Sequence, residues 1–332
     1  MPALISFGVY AALPKYISEF SAKNKKKIGH LVLWFVKTRL ISFLILGILI
    51  FLFRYQISMY FFHNTTLAYL IIPGLIYFFS MFFAILPFIV QGYQNFRLFA
   101  LSSFFATALP PLASIILLPF SISYMILGFG LATVISYLIT LKFIVNMGAF
   151  KAHIRFDLKK IIWSFSIPMY ILGIVISLSS LALPLFSLFF TQETIGYYAY
   201  ALMFYTASLL LPGSISFIIL PQTSELNAMK RKERASTLLK KAFLYYTPIV
   251  IFGSLLVLLL SKSVIDLISP NYLPSLPILK TLIIFGLFSG YGLIYSAYLV
   301  GKGNIKRTAV VMIAINILLF LVSAILLTSI NM

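Results

Sequence analysis

The chain has 332 residues, of which 62% are hydrophobic, 17% aromatic and only 9% charged, with mean hydropathy +1.07. A soluble domain carries about 25% charged residues, so this composition excludes a water-soluble globular protein, and the lack of cysteine excludes disulfides and thiolate metal sites. The net charge of +19 sits beside apolar runs, which excludes nucleic acid as a partner and points to anionic membrane lipids and to basic cytoplasmic loops.

An apolar run of about 20 residues spans the ~30 Å hydrocarbon core, and in lipid only helices or closed barrels satisfy the backbone. Strand-type alternation is not present, so the expected class is all-α. Segment 1 (1–19) runs into a basic loop at 21–29. Segment 2 (31–53) carries Lys37 and Arg39 and leads to a loop at 54–66. Segment 3 (67–91) turns at 92–96 into segment 4 (97–120), and a short turn at 119–121 leads to segment 5 (122–146). A basic stretch at 147–160 precedes segment 6 (161–190), and the turn 191–194 joins it to segment 7 (195–222). The basic loop 226–241, segment 8 (238–261), the loop 262–273, segment 9 (274–300), the turn 301–306 and segment 10 (305–329) complete the chain. Prolines inside these segments, among them Pro73, Pro87, Pro110, Pro168, Pro212 and Pro248, predict kinks.

Lysine and arginine fall in or beside every second loop, apart from Arg54, Lys262 and Lys280. Those loops are therefore expected inside, in a multi-pass protein of the plasma membrane. The expected domains are an N-terminal helical bundle (1–146), a cytoplasmic linker (147–160) and a C-terminal bundle (161–332).

No loop is long enough for a soluble catalytic domain. The six acidic residues, Glu19, Asp157, Glu193, Glu225, Glu233 and Asp266, make no paired set at helical spacing. His30, His63 and His153 show no metal-ligand spacing, and no phosphate-cradling glycine loop or nucleophile constellation is present. The expectation is no enzyme, no metal and no cofactor; something is moved rather than converted.

Two local sequences recur. LPKYISEF (13–20) matches LPQTSEL (220–226) at offsets of 207 and 206, and VQGYQNFR (90–97) matches VGKGNIKR (300–307) at 209 to 210. Each copy lies at an inner helix end, and the copies are six segments apart. An even number of segments gives both copies one orientation, as in a parallel repeat about an axis along the membrane normal. On that plan segment 6 lacks a counterpart before residue 1, and segment 5 lacks one after residue 332. Ten segments of a plan of 12–14 helices are expected, in two pseudo-twofold-related bundles without their terminal helices.

LPKYISEF resembles the P-R-x-I-S-E motif of polysaccharide and oligosaccharide-lipid flippases, with Lys15 where that family has arginine. IIWSFSIPMYILGIV (161–175) resembles the span opening their second half, and TQETIGYYAYA (191–201) their outer turn. LPQTSEL resembles their P-x-x-S-E, SPNYLPSLPILKTL (269–282) their tyrosine-bearing stretch, and GKGNIKR (301–307) their glycine-rich inner turn. The resemblance is to the multidrug, oligosaccharidyl-lipid and polysaccharide exporter superfamily. It implies two helical bundles around a central cavity that works by alternating access. The implied substrate is a lipid-linked oligosaccharide with a pyrophosphate head, carried from the inner to the outer leaflet. Glycosyltransferases or a glycan polymerase would then be partners.

Arg39 stands about eight residues into its segment, or ~12 Å deep, where a charge usually faces a cavity. Lys37, ~200° away around the helix, cannot share its face. Arg39, Lys15 and Lys280 are the candidate cavity cations, each set against the alternative of a snorkelling anchor. Glu19, Glu225 and Arg97 are candidates for an inner gate, set against salt bridges, caps and anchors. Thr191 and Glu193 fit the start of a helix. Two rival functions remain: a cation-coupled exporter of drugs or small molecules, which would want intramembrane carboxylates, and a truncated, non-transporting component of a glycan-assembly complex.

Overall fold

The computed structural model describes residues 9–62, 64–151, 154–178 and 182–331; His63 and His153 lie outside this set. The described residues form helices and no strand, and nine stretches among them are long and apolar enough to cross a membrane. Segment 1 of the sequence is described only from Val9 onward. Thirteen helices carry the architecture: α1 (Val9–Lys23), α2 (Ile28–Leu52), α3 (Arg54–Phe62), α4 (Ile71–Ser80), α5 (Leu86–Gly92), α6 (Phe96–Leu117), α7 (Ile122–Asn146), α8 (Ile167–Leu178), α9 (Gln192–Ser208), α10 (Leu210–Ala228), α11 (Lys232–Ile268), α12 (Leu276–Gly301) and α13 (Ile305–Asn331). Contacts divide the chain into two compact units, residues 1–170 and 171–332, so the boundary falls within α8.

Helix starts follow local chemistry. Asn95, Ser121 and Thr191 cap α6, α7 and α9 by accepting the backbone N–H of Leu98, Tyr124 and Thr194. Four helix ends share one device. Gln94 N–H bonds Gln91 O while Asn95 N–H bonds Val90 O, and the same pair of bonds recurs at Gly148/Ala149, Lys230/Arg231 and Gly303/Asn304. These are Schellman turns. Their left-handed residues, Gln94 (φ 59°), Gly148 (69°), Lys230 (59°) and Gly303 (77°), are the positive-φ residues found among those described.

In the first unit, α4 and α5 are joined by a 3₁₀ stretch, Met81–Ile85, just before Pro87. The α6–α7 hairpin is fastened by hydroxyls, the pattern expected where lipid offers no hydrophobic drive between helices. Thr140 Oγ1 donates to Ser102 Oγ at 2.7 Å, and Ser136 Oγ to the Phe105 carbonyl at 3.1 Å. The linker after α7 docks on the α1–α2 turn. Phe156 packs edge-on against Phe20 and His30, and its N–H donates to His30 Nδ1 at 3.4 Å.

In the second unit α12 is the central helix, with Ile278, Leu279, Leu282, Ile283 and Ile294 buried. Tyr198 shares a 2.8 Å hydrogen bond with Ser323, tying α9 to α13, and Thr247 shares one of 2.7 Å with Tyr291, tying α11 to α12. At 37 residues α11 is about 55 Å long, well beyond the ~30 Å core.

The recurring local sequences pack in a similar way, each within its own unit. A Cβ on Gly92 would come within 2.7 Å of Ile17 Cβ, and one on Gly301 within 2.8 Å of Thr223 Cβ and of the Leu220 carbonyl oxygen. Each glycine lets the helix ending in a Schellman turn lie directly against the helix that carries the Pro…Ser-Glu motif.

Candidate functional site

Helix α2 begins at Ile28, three residues earlier than the apolar run suggests, which leaves Arg39 11 residues in and 13 short of Leu52. The guanidinium thus lies ~16 Å along the helix, near mid-span. Lys37 is exposed, as its place on the opposite face requires, while Arg39 is only 2% exposed. Arg39 Nη2 donates to Tyr10 Oη at 2.9 Å and to the Met81 carbonyl at 2.7 Å, within the 3₁₀ stretch. The Tyr10 and Phe43 ring centroids lie 5.1 and 5.0 Å from Cζ, so π faces supply part of the lost solvation. Nε and Nη1 have no partner among the described residues. Of the five N–H donors of an arginine, three are therefore unused.

Arg39 lines a cavity of about 180 Å³ with Trp34, Phe35, Thr38, Ile162, Ser166, Ile167 and Tyr170, all in the first unit. The far wall is a π-helical turn, Ile162–Ser166, between the short helix Lys159–Ile161 and α8. Ser166 is 3% exposed, and its Oγ is also without a partner among the described residues. No acidic residue lines the cavity. A desolvated, incompletely satisfied cation strongly favours an anion nearby.

Lys15 is buried in a different setting. Its ammonium pairs with Glu19 Oε2 at 3.0 Å, and Glu19 Oε1 also holds Lys23 at 2.8 Å. Lys15 Nζ lies 3.8 Å from the Tyr16 ring centroid and 5.2 Å from that of Phe165. The structure therefore brings Lys15 and Glu19 together, and the π turn offers Phe165 to this pair and Ser166 to Arg39. Arg97 is exposed near the start of α6. Glu225, half-buried on α10, and Lys280, exposed on α12, belong to the second unit. Among the described residues no group of three histidine, aspartate or glutamate side chains could hold a metal.

Tyr10, the Met81 carbonyl, Trp34 and Ser166 escaped the sequence reading. Tyr10 and Ser166 did leave a faint trace, as polar atoms within apolar segments.

No protein-family model matches the chain, and a comparison with curated proteins gives no match. Solved structures do match. The outward-facing conformation of a multidrug resistance MATE family transporter of the MOP superfamily matches at 14% identity and TM-score 0.68, covering 99% of this chain and 82% of the other. A MATE in complex with MaD3S gives 14% and 0.72, covering 99% and 85%. A MOP superfamily transporter from Pyrococcus furiosus, whose reversed binding-pocket polarity is taken to suggest a different function, gives 14% and 0.67, covering 100% and 85%. The chain has the all-α membrane fold of these transporters, without close sequence relationship to them.

Proposed function

We propose that the chain is a multi-pass carrier of the plasma membrane, not an enzyme, that moves a lipid-linked oligosaccharide with a pyrophosphate head from the inner to the outer leaflet by alternating access. The observation that carries this is Arg39: a mid-span guanidinium with three unused donors facing a cavity without a carboxylate. All six acidic residues lie at helix ends or in loops, so no intramembrane carboxylate stands ready for a cationic cargo. Glycosyltransferases that build the glycan, or a polymerase that extends it, would be its neighbours, and anionic lipids would contact its basic inner face.

The kinship in fold to multidrug MATE transporters favours a second reading, a cation-coupled exporter of small molecules. One experiment separates the two. Proteoliposomes loaded with a fluorescent prenyl-pyrophosphate oligosaccharide in the inner leaflet are assayed for its appearance outside, in parallel with efflux of a cationic dye. Glycolipid transfer without dye efflux supports the flippase; the reverse result rejects it in favour of the exporter.

A further inference from the structure

Serine and threonine hydroxyls in membrane helices usually satisfy themselves on the carbonyl four residues back. Thr38, Ser42, Ser164, Ser177 and Thr247 all do so here. Ser166 does not. Its back-bonding acceptor would be the carbonyl of Ile162, which in the π turn accepts the N–H of Ile167 instead of that of Ser166. Among the described residues the Ser166 hydroxyl finds no partner, and it shares its cavity with Arg39, itself left with free donors. Such single-turn π segments concentrate at functional sites.

We propose that Arg39 and Ser166 form a two-point seat for one phosphoryl group, and that the π turn Ile162–Ser166 exists to present the Ser166 hydroxyl to it. This rests on the reading of the chain as a carrier of an anionic head group, and it names where that group is held. Burial leaves little else for these atoms to meet: both side chains are at least 97% buried and line the same cavity. Thr38, also in the wall, is spent on the Trp34 carbonyl. The cavity volume of about 180 Å³ is below the ~300 Å³ at which pockets begin to hold drug-sized ligands. The seat therefore takes a phosphoryl group and leaves the sugars and the lipid tail outside. Tyr10 and the Met81 carbonyl are positioning groups, since they hold Nη2 and so aim the remaining donors.

The chain carries its own reporter. Trp34 is part of the wall, and the other tryptophan, Trp163, is 70% exposed. In detergent-solubilised Trp163→Phe protein, Trp34 emission is followed during titration with inorganic pyrophosphate and, separately, with farnesyl pyrophosphate. A saturable change with either probe is expected. A response to both means that the seat reads phosphate alone, and a response to farnesyl pyrophosphate only means that it needs the lipid-borne form; both support the seat. Ser166→Ala should weaken binding by about tenfold or more, the worth of one hydrogen bond to a charged group. Ser166→Thr, which keeps the hydroxyl, should recover most of it, and Arg39→Gln should abolish the response. Ser166→Ala removes a single oxygen, and unchanged Trp34 emission without probe will show that the fold is kept. No saturable response to either probe, or equal affinity in Ser166→Ala, overturns the proposal. A Ser166-dependent response in a protein that moves no glycolipid in proteoliposomes leaves the seat standing and rejects the flippase.

Discussion

Tyr246 stands in the second unit where Arg39 stands in the first. An offset of 207 brings four of the eight buried positions of α2 onto buried positions of α11: Ile28 with Ala235, Arg39 with Tyr246, Phe43 with Val250 and Gly47 with Ser254. The partners correspond as well. Arg39 bonds the Met81 carbonyl, and Tyr246 Oη lies against Gly290, offset 209 from Met81, the same offset that relates Gly92 to Gly301. A buried polar side chain stands at this point in both units, but only one of the two is charged.

The transport series follows from this. Arg39→Ala should abolish glycolipid transfer in proteoliposomes while insertion stays normal. Arg39→Lys should restore part of it, because a lysine has three donors and two would be drawn to the Tyr10 hydroxyl and the Met81 carbonyl. Lys37→Ala, on the exposed face, should be near wild type. Full transfer by Arg39→Ala would reduce that residue to a structural tie between α2, Tyr10 and the Met81 carbonyl.

Tyr246 makes the opposite case. Its hydroxyl is fully buried and has no partner among the described residues. Deleting an unsatisfied buried hydroxyl relieves its desolvation, so Tyr246→Phe should leave Tm unchanged or raise it. Tyr198→Phe breaks the 2.8 Å bond to Ser323 and should cost about 1 kcal/mol. Thermal unfolding in detergent of both variants checks the contrast; a clear loss for Tyr246→Phe would mean that its hydroxyl bonds something essential.

Close packing at Gly301 gives a stability prediction. Gly301→Ala would set a methyl 2.8 Å from the Leu220 carbonyl oxygen, a backbone atom with little freedom to yield. Overpacking of this kind costs about 1–3 kcal/mol. Gly253→Ala, with nothing within 4 Å of its added methyl, should gain about 0.5–1 kcal/mol from helix propensity. Equal Tm values for the two variants would argue against so close an approach of α10 and α12.

Orientation can be read with an impermeant thiol reagent on a chain without native cysteine. Thr237→Cys and Asn271→Cys are both at exposed positions. Asn271→Cys should label on intact cells, and Thr237→Cys only after permeabilisation. Labelling of Thr237→Cys from outside would invert the topology.

Much of the fold was open to reading because lipid makes span length explicit and turn chemistry is local. Asn95 and Asn304 announced their inner turns, and Pro14 and Pro221 marked the repeat, since caps and left-handed residues act over a few positions. The site was harder for the same physical reason. In a bilayer both faces of a helix are apolar, so hydrophobic periodicity does not say which face of α2 is buried; only the charge at Arg39 did. Its partner at residue 81 is a backbone carbonyl, which has no residue identity to notice. The π turn leaves no mark in IIWSFSIP, where Ser164 and Ser166 look alike although one is bonded and the other is not.

The four Schellman turns are closed by main-chain hydrogen bonds. The basic side chains in and beside them are accordingly not needed to close the turns, and Arg97, Lys151, Lys230, Arg231 and Lys306 are all exposed. Insertion and folding are thus written in separate alphabets on the same few residues: charge tells the membrane which way round the chain goes, and backbone geometry tells the chain where to reverse. Glutamine at all five positions should leave each turn and its helices intact while producing a population inserted in both directions.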